Sequence, residues 1–391
     1  MPKTMRKFLL PLLLVLTVSC APSKTLSEAE RLELQVQAAL DSMTLREKVG
    51  QLFYVRPESL NESRSSVDFI PDRASSRTGV TATMKRIVAA YPVGGVVLFA
   101  YNITGPEQLR AFTDSLHALP CHPLVAIDEE GGRVARIAAN PAFDVPHYAS
   151  MSAVGQSGNP EKAYACGQAI GRYLADYGID VDFAPVADVN TNPANPVIGK
   201  RAFSENPETA AAMVVRFLEG LQEAGVLGCL KHFPGHGDTR TDSHYGYAQS
   251  GKTWEEMLDC ELVPFKAGIA AGAPMVMSAH ISAPAVTGTD VPSTLSPLML
   301  TEKLRGELGF EGVIVTDGLG MGAITRQYSS AEAAVKALQA GADILLLPEN
   351  FFDAFDAVLA AVEDGTLTSE RIDRSVRRIL WMRFGKNVAQ K

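Results

Sequence analysis

Residues 228–244, GCLKHFPGHGDTRTDSH, join a short apolar strand to a loop that is rich in ionisable side chains. The first six residues have the length and the apolar character of a buried strand. Pro234, Gly235 and Gly237 then interrupt regular structure, while three histidines, two aspartates and a lysine lie within residues 231–244. Packing rarely explains so many ionisable groups on a loop, so this stretch predicts a strand that leads into a functional loop.

The same succession of an apolar strand, a loop and a helical stretch recurs along the chain. We predict eight strands, at residues 51–55, 94–99, 123–128, 180–186, 228–233, 274–279, 312–317 and 342–347. Because these runs are continuously apolar instead of alternating, they are typical of a parallel sheet covered on its outer surface by helices. Eight such units favour an α/β fold of the (β/α)8 TIM-barrel class, with a doubly wound open sheet as the alternative.

Ionisable residues at the C-terminal ends of the predicted strands favour the closed barrel over the open sheet. Asp128, Lys231 with His232, His280 and Asp317 hold these positions. Barrels of this class carry their functional groups on that face. No Ser/Gly linker or composition break divides residues 21–391, which predicts one large domain over this range.

Composition narrows the class of partner. The chain has 391 residues, of which 46% are hydrophobic and 20% charged, and this is enough apolar material for a sizeable core. A net charge of −8 and the lack of a Lys/Arg block in the mature sequence argue against a nucleic-acid partner. The cysteines have no C-x-x-C spacing, which argues against zinc-ribbon and thioredoxin-like sites. We expect no cofactor, and a monomer is favoured.

The first residues have the pattern of an export signal. Lys3, Arg6 and Lys7 precede an apolar run at residues 8–18, which contains a proline and is short for a membrane span. The run ends at Ser19-Cys20 and resembles a bacterial lipoprotein signal, although a threonine stands where such signals more often carry an aliphatic residue. We therefore predict a signal over residues 1–20 with lipid on Cys20, and a lipid-anchored location in a bacterial cell envelope, facing the periplasm or in the outer membrane. The alternative is an ordinary signal peptide that ends in cysteine.

Residue types alone leave three interpretations of the loop. In the first, the carboxylate of Asp242 orients His244, which gives and takes a proton near neutral pH. In the second, His232, His236, Asp242 and His244 hold a metal ion. In the third, the histidines only satisfy backbone groups of a polar loop.

Five motifs in register carry a resemblance to a known family. They are KHFPGHGDT followed by DSH (231–244), AIDEEGGRVARI (126–137), FAPVADVNTNPANPVIGKRAFSENPE (183–208), MSAHI (277–281) and IVTDGLGMGAI (314–324). In this order the chain resembles glycoside hydrolase family 3, in particular its β-N-acetylhexosaminidase branch. The resemblance covers roughly residues 45–384 and implies a glycosidase on a barrel without a metal ion.

The resemblance also implies catalytic roles, each at a matching position. Asp317 is the expected nucleophile, His244 the acid/base and Asp242 its partner. A retaining glycosidase needs one group that attacks the anomeric carbon and another that protonates the leaving oxygen, and this pair meets that need. The family branch departs from the usual two carboxylates because its acid/base is a histidine on a loop.

The remaining motif positions imply a sugar-binding pocket. Asp128, Lys231 and His232 match residues that hold sugar hydroxyls, while Arg136 and Arg201 match positive groups that line the same pocket. His236, Asp238 and Arg133 are expected to shape the loops, and Glu129 or Glu130 to anchor Arg133 or a neighbouring loop.

The function implied is that of a retaining exo-β-N-acetylglucosaminidase. It would hydrolyse terminal non-reducing N-acetylglucosamine from muropeptide-type or chitin-type oligosaccharides through a glycosyl-Asp317 intermediate. The alternatives are a β-glucosidase or N-acetylglucosaminide phosphorylase of the same family, a metal-dependent barrel hydrolase and an inactive sugar-binding lipoprotein.

Overall fold

A computed structural model describes residues 26–61, 77–239 and 248–385, and the strands in these parts include all eight that the sequence predicts. They are β1 Phe53–Val55, β2 Gly95–Leu98, β3 Leu124–Ile127, β4 Val181–Asp182, β5 Leu227–Phe233, β6 Ala248–Gln249, β7 Met275–Ser278, β8 Ile281–Ser282, β9 Val313–Thr316 and β10 Leu345–Leu346. Strands β6 and β8 pair with each other, outside the main sheet. Seven of the other eight are shorter than the predicted runs because the ends of those runs lie outside the paired segments, whereas β5 begins one residue earlier than predicted.

The main sheet is parallel throughout and closes into a barrel. Its strand order is β10-β1-β2-β3-β4-β5-β7-β9. The first and last strands of this order also meet, since the amide of Ile344 donates to the carbonyl of Ile314 and the amide of Thr316 donates to Ile344, both at 3.0 Å. The predicted (β/α)8 barrel is therefore confirmed, and the open-sheet alternative is wrong.

Helices surround the barrel and bury their apolar faces against it. They are α1 Glu28–Ser42, α2 Leu45–Gln51, α3 Ala82–Ala90, α4 Pro106–His117, α5 Met151–Gly155, α6 Pro160–Asp176, α7 Pro207–Glu223, α8 Trp254–Leu258, α9 Val263–Ala270, α10 Pro284–Thr287, α11 Gly322–Thr325, α12 Ser330–Ala340, α13 Phe351–Glu363 and α14 Ser369–Gly385, with a π-helix at Leu298–Glu307. Helices α6 and α7 approach closely at Gly167 and Gly220, where an added Cβ would lie 2.1 and 2.3 Å from carbonyl oxygens of the facing helix.

Apolar residues at helical spacing predict one continuous helix over residues 27–53, but the structure has two helices there. Met43 has an extended backbone (ψ 135°), and the Thr44 side chain accepts a hydrogen bond from the amide of Glu47 at the start of α2. The carboxylate of Glu47 in turn accepts from the Thr44 amide, and this reciprocal cap begins a new helix where the sequence pattern alone suggests continuation.

Helix α14 holds the N-terminal end of the barrel. Its Arg378 contacts Asp343, at the entrance to β10, at 3.3 Å, and its Arg377 pairs with Glu33 of α1 at 2.5 Å. In the described ranges no helix is long and apolar enough to cross a bilayer. Among the described cysteines the thiols are free, and those of Cys166 and Cys229 are buried.

Candidate active site

A cavity of about 670 Å³ opens at the C-terminal ends of the barrel strands. Six of the eight predicted catalytic and binding residues line it: Asp128, Arg136, Arg201, Lys231, His232 and Asp317. The other two, Asp242 and His244, lie outside the described residues, as does Cys20. The volume of the cavity is in the range of sites that enclose small ligands.

Lys231 lies at the centre of a buried ion-pair network on the floor of the cavity. Its ammonium contacts the carboxylates of Asp128 at 2.7 Å and Glu130 at 2.6 Å. The guanidinium of Arg201 makes a two-pronged contact with Glu130, with Nε and Nη2 at 2.8 and 2.7 Å from its oxygens. Lys231 is only 2% exposed, and Glu130 is equally buried. Buried charges of this kind persist only when each one has a partner.

The network fixes the charge of its members. Burial opposes ionisation of Asp128, but the nearby Lys231 and Arg136 outweigh it and lower the pKa of this carboxyl below its ordinary value. Burial also opposes ionisation of Glu130, but the facing Arg201 and Lys231 outweigh it and hold the pKa of this carboxyl well below its ordinary value. Burial alone would lower the pKa of Lys231, yet the two carboxylates raise it. At neutral pH the floor therefore presents fixed charges of both signs.

The loop after β3 places Arg136 beside this network. Arg136 Nη2 is 3.4 Å from Asp128 Oδ2, and its guanidinium lies over the ring of Phe99 at 5.7 Å. The loop is held by the buried carboxylate of Glu129, which accepts the backbone amides of Arg136, Ile137 and Ala138 at 2.5, 2.9 and 2.8 Å. One carboxylate thus organises three successive peptide groups, so that the side chain of Arg136 reaches the cavity.

His232 reaches the cavity from β5 and is held from behind by Asp188. Its Nδ1 is 2.7 Å from Asp188 Oδ2, and its Nε2 is 3.3 Å from Arg201 Nη2. Asp188 is fully buried, and its Oδ1 also accepts the backbone amides of His232 and His236. Burial would raise the pKa of Asp188, but the facing His232 outweighs it and lowers the pKa.

Asp317 follows β9 and presents its carboxylate to the cavity. Its Oδ1 accepts the amide of Gly318 at 2.7 Å, and its own amide donates to the carbonyl of Ser278 at 2.8 Å. His280 supports this turn from below, with Nε2 2.9 Å from the Gly318 carbonyl and Nδ1 3.0 Å from Thr294 Oγ1. His280 is fully buried and does not line the cavity, so its position agrees with a structural histidine.

The described part of the loop after β5 packs tightly against its neighbours. A Cβ on Gly237 would lie 1.8 Å from the carbonyl oxygen of Val189, so only glycine fits there. The side chain of Asn195 donates to the carbonyls of His236 and Thr239 at 2.8 and 3.0 Å. These contacts hold the chain rigidly up to the residue that precedes the expected Asp242–His244 dyad by three positions.

A family comparison adds to this geometry. The profile of the glycosyl hydrolase family 3 N-terminal domain matches residues 44–382, which is most of the chain. The chain belongs to glycoside hydrolase family 3. The resemblance read from five sequence motifs is thereby confirmed, and so is the assignment to the glycoside hydrolases.

Curated family 3 relatives include several β-hexosaminidases. The chain is 36% identical to Beta-hexosaminidase A of Pseudoalteromonas piscicida over 334 residues, covering 79% of this chain and 56% of that protein. It is 37% identical to a Beta-hexosaminidase of Alkalilimnicola ehrlichii over 286 residues, covering 72% of this chain and 80% of the relative. The chain thus spans little more than half of the first of these relatives and four fifths of the second.

Solved family 3 structures share the fold. A β-N-acetylglucosaminidase from Paenibacillus superposes with a TM-score of 0.78 at 38% identity, covering 89% of this chain and 63% of that one. A β-glucoside phosphorylase, BglX, has the same TM-score at 26% identity, covering 94% and 63% of the two chains. Family 3 barrels of similar shape therefore occur in proteins named for two different reactions.

Two residues of the site were missed or misplaced by sequence reasoning. We expected Glu130 or Glu129 to anchor Arg133 or a loop; Glu129 does hold a loop, but Glu130 pairs with Arg201 and Lys231 inside the cavity. Asp188 was not considered at all. Its signal was present, since it is a carboxylate shortly after a predicted strand, but its partner lies 44 residues away on the next strand.

The second interpretation of the loop, a metal site, finds little support among the described donors. Both ring nitrogens of His232 already face a partner, Asp188 on one side and Arg201 on the other. Nδ1 of His236 lies 2.6 Å from Thr239 Oγ1. A metal ion at His232 would have to displace the carboxylate or lie against a guanidinium, and both changes are unfavourable.

Proposed function

We propose that the protein is a retaining β-N-acetylglucosaminidase that removes terminal N-acetylglucosamine from the non-reducing end of an oligosaccharide. The observation that carries the proposal is the convergence of Asp317 with the Asp128–Lys231–Arg201 network on one cavity of a family 3 barrel. The names of the relatives, β-hexosaminidase and β-N-acetylglucosaminidase, support the choice of sugar.

The reaction has two displacements at the anomeric carbon. In the first, a carboxylate oxygen of Asp317 attacks this carbon while His244 gives a proton to the glycosidic oxygen; the glycosidic bond breaks and a glycosyl ester forms. In the second, neutral His244 takes a proton from water, whose oxygen attacks the same carbon and frees the carboxylate. Asp242 orients the imidazole for both steps, and the configuration at the anomeric carbon is retained.

The charged residues that line the cavity would bind the hydroxyl groups of the sugar. Asp128 is an ionised acceptor for hydroxyl hydrogens, while Lys231, Arg136 and Arg201 are donors to hydroxyl oxygens. Because each charge already has a partner, the groups need no rearrangement when the sugar arrives, and such preorganisation favours binding. The turn that places Asp317 is supported by Ser278 and His280, which keeps the nucleophile at a fixed position.

The proposal extends to the location of the protein and to its substrate class. Lipid on Cys20 would hold the enzyme in a bacterial envelope, where muropeptide-type oligosaccharides are the expected substrates and chitin-type oligosaccharides the alternative. A Cys20→Ser variant tests the anchor: we expect the wild type to take up radiolabelled fatty acid and to sediment with membranes, and the variant to do neither. Labelling of both proteins, or of neither, would contradict a lipid on Cys20.

The assay that tests the function compares aryl N-acetyl-β-glucosaminide with aryl β-glucoside. We expect kcat/KM to favour the N-acetyl substrate at least about tenfold and Asp317→Asn to lose at least about 1,000-fold. Asp176→Asn, on the exposed face of α6, is the matched control and should keep full activity. Equal activity of the Asp317→Asn enzyme would overturn the nucleophile, and preference for the glucoside would overturn the sugar.

Two further arms of the assay test the alternatives. A chelator should leave the rate unchanged; a loss restored by a divalent metal would favour the metal-dependent hydrolase. Inorganic phosphate should neither raise the rate nor yield a sugar 1-phosphate. Formation of that product would favour phosphorolysis, which the fold similarity to a β-glucoside phosphorylase makes worth testing.

A further inference from the structure

The ring of His232 lies between an obligatory acceptor and an obligatory donor. A guanidinium nitrogen can only donate a hydrogen bond, so Arg201 Nη2, at 3.3 Å, requires Nε2 of His232 to accept. An ionised carboxylate can only accept, so Asp188 Oδ2, at 2.7 Å, requires the ring proton to lie on Nδ1. The two contacts agree on one tautomer, in which the single lone pair of Nε2 accepts the long contact from Arg201 on the cavity side of the ring.

Asp188 itself has little freedom to move. Its other oxygen, Oδ1, accepts the amides of His232 at 3.2 Å and His236 at 2.6 Å, and the residue is fully buried. The carboxylate therefore ties the end of β5 to the start of the loop that follows it. The same group that orients the imidazole also fixes the backbone that carries it.

We propose that Asp188 is a positioning residue that selects the Nδ1–H tautomer of His232 and thereby makes Nε2 a hydrogen-bond acceptor in the ligand site. A sugar hydroxyl offers the matching donor and would take the Nε2 lone pair from the 3.3 Å contact with Arg201, whose Nη2 keeps Glu130 at 2.7 Å; this part rests on the proposed function. The tautomer assignment does not depend on the substrate, since Arg201 and Asp188 belong to the chain itself.

Asp188→Asn makes the sharpest test because it exchanges one oxygen for an NH2 group at constant shape. The two backbone amides still need an acceptor, so the amide oxygen takes the Oδ1 position and the NH2 group faces Nδ1 of His232. Nδ1 must then accept and the ring proton moves to Nε2. There it meets Arg201, so two donors face each other and the acceptor for the sugar is lost.

The first measurement is long-range 15N–1H NMR on protein labelled at the histidine ring nitrogens. The chain has seven histidines, and His232→Gln identifies the signals of residue 232 by their loss. We expect the protonated nitrogen of His232 to be Nδ1 in the wild type and Nε2 in Asp188→Asn. Protonation at Nε2 in the wild type, or the same tautomer in both proteins, overturns the proposal whatever the enzyme acts on.

The second measurement is a double-mutant cycle on the substrate that the wild type turns over. Asp188→Asn should raise KM about tenfold and change kcat by less than about threefold, because the contact is with bound sugar in both ground and transition states. On a His232→Gln background the same change should add almost nothing, since Asp188 acts through the imidazole. Additive effects would show a merely structural role and would contradict the proposal.

The two measurements separate this inference from the proposed function. If the wild type shows the predicted tautomer but prefers another glycoside, the proposed sugar is wrong and the role of Asp188 is then decided by the cycle on that glycoside. If the preferred sugar is N-acetylglucosamine but the cycle is additive, the function stands and the positioning role is wrong.

Discussion

At the scale of single residues, Lys231 determines the charge of the site. Its ammonium contacts both Asp128 and Glu130, and each of these contacts a second cation, Arg136 and Arg201 respectively. Removing one member of a buried pair usually costs more than the pair contributes, because the remaining charge is left in a medium that solvates it poorly. Substitution of Lys231 should therefore affect both the activity and the stability of the protein.

We expect Lys231→Met to lose at least about 100-fold in kcat/KM and to destabilise the fold by about 3–5 kcal/mol at neutral pH. In the wild type the lowered pKa values of Asp128 and Glu130 give stability that is present above the ordinary carboxyl range and lost as pH falls through the lowered values. Without the ammonium these carboxyls protonate more easily. The cost of the substitution, measured by urea unfolding, should thus be full at pH 7 and shrink as pH falls below the ordinary carboxyl range; a cost that stays constant from pH 7 down to about pH 3 would contradict the network.

Sequence reasoning placed individual residues well where a motif names them, and poorly where the role depends on a distant partner. Asp128, Lys231 and Asp317 stand at the ends of predicted strands, and a barrel brings such ends together. Glu130 and Asp188 act through contacts with Arg201 and His232, 71 and 44 residues away. The order of residues along the chain does not specify which side chains on adjacent strands touch.

At the scale of elements, β4 ends in a carboxyl group whose environment opposes its ionisation. Asp182 is fully buried under the cavity; its Oδ1 accepts the amide of Glu129 at 2.8 Å, and its Oδ2 has no hydrogen-bond partner within the described chain. Burial is the main reason that its pKa is raised well above the ordinary value. The environment of Asp182 therefore favours the neutral carboxyl over the ionised one.

We expect Asp182→Asn to stabilise the protein relative to the wild type, and more so at pH 8 than at pH 5. A raised pKa gives the wild type stability that is full below the ordinary value and is lost as pH rises toward the raised value, whereas asparagine does not titrate. The expected difference grows by at most about 1.4 kcal/mol per pH unit within that window. Thermal unfolding at the two pH values measures it, and an equal effect at both, or destabilisation that increases with pH, would show that Asp182 is ionised in the fold.

Strands and helices were largely predictable, while their limits were not. Continuous apolar runs gave all eight barrel strands, but the break between α1 and α2 was missed. Apolar residues recur at helical spacing over residues 32–43, and this pattern does not show where the first helix ends. The reciprocal contacts of Thr44 with Glu47 end one helix and begin the next. Capping depends on local hydrogen bonds of the backbone, and the spacing of apolar residues does not predict it.

At the scale of the whole molecule, the two ends of the barrel have different tasks. The C-terminal end carries the cavity, while the N-terminal end is tied together by one buried carboxylate. Asp343, fully buried before β10, contacts Arg378 at 3.3 Å, Arg371 at 4.0 Å and Arg305, and also accepts the amide of Ile314 at 3.0 Å. It therefore joins α14, the π-helix and β9, the strand that closes the barrel.

We expect Asp343→Ala to lower the free energy of unfolding by about 3–5 kcal/mol, since it leaves buried guanidinium groups without a counter-charge. The control is Asp373→Ala, also on α14, which removes a partly exposed pair with Lys48 at 2.7 Å and should cost no more than about 1 kcal/mol. At a temperature where both variants are folded, kcat/KM should equal the wild-type value because the cavity lies at the other end. Equal costs in urea unfolding would show that Asp343 does not hold the barrel together.

Barrel topology was predictable because eight strand–helix units allow few arrangements, yet closure itself depends on a pairing far apart in sequence. The contact of Ile344 with Ile314 joins the β10 segment to β9, and neither segment alone predicts this pairing. The proposed nucleophile and the proposed sugar-binding residues also come together only in the barrel, since Asp317 follows β9, Asp128 follows β3 and Lys231 lies on β5.

The measurement that tests the account most directly is the mass of the protein after reaction with a 5-fluoro N-acetyl-β-glucosaminyl fluoride, followed by peptide mapping. Such a reagent forms the glycosyl ester but slows its hydrolysis, so a retaining enzyme accumulates the covalent intermediate. We predict an increase by one glycosyl group on the peptide that contains Asp317, and no increase in the Asp317→Asn variant. A label on a different residue, or turnover of the aryl substrate with inversion at the anomeric carbon, would contradict the account.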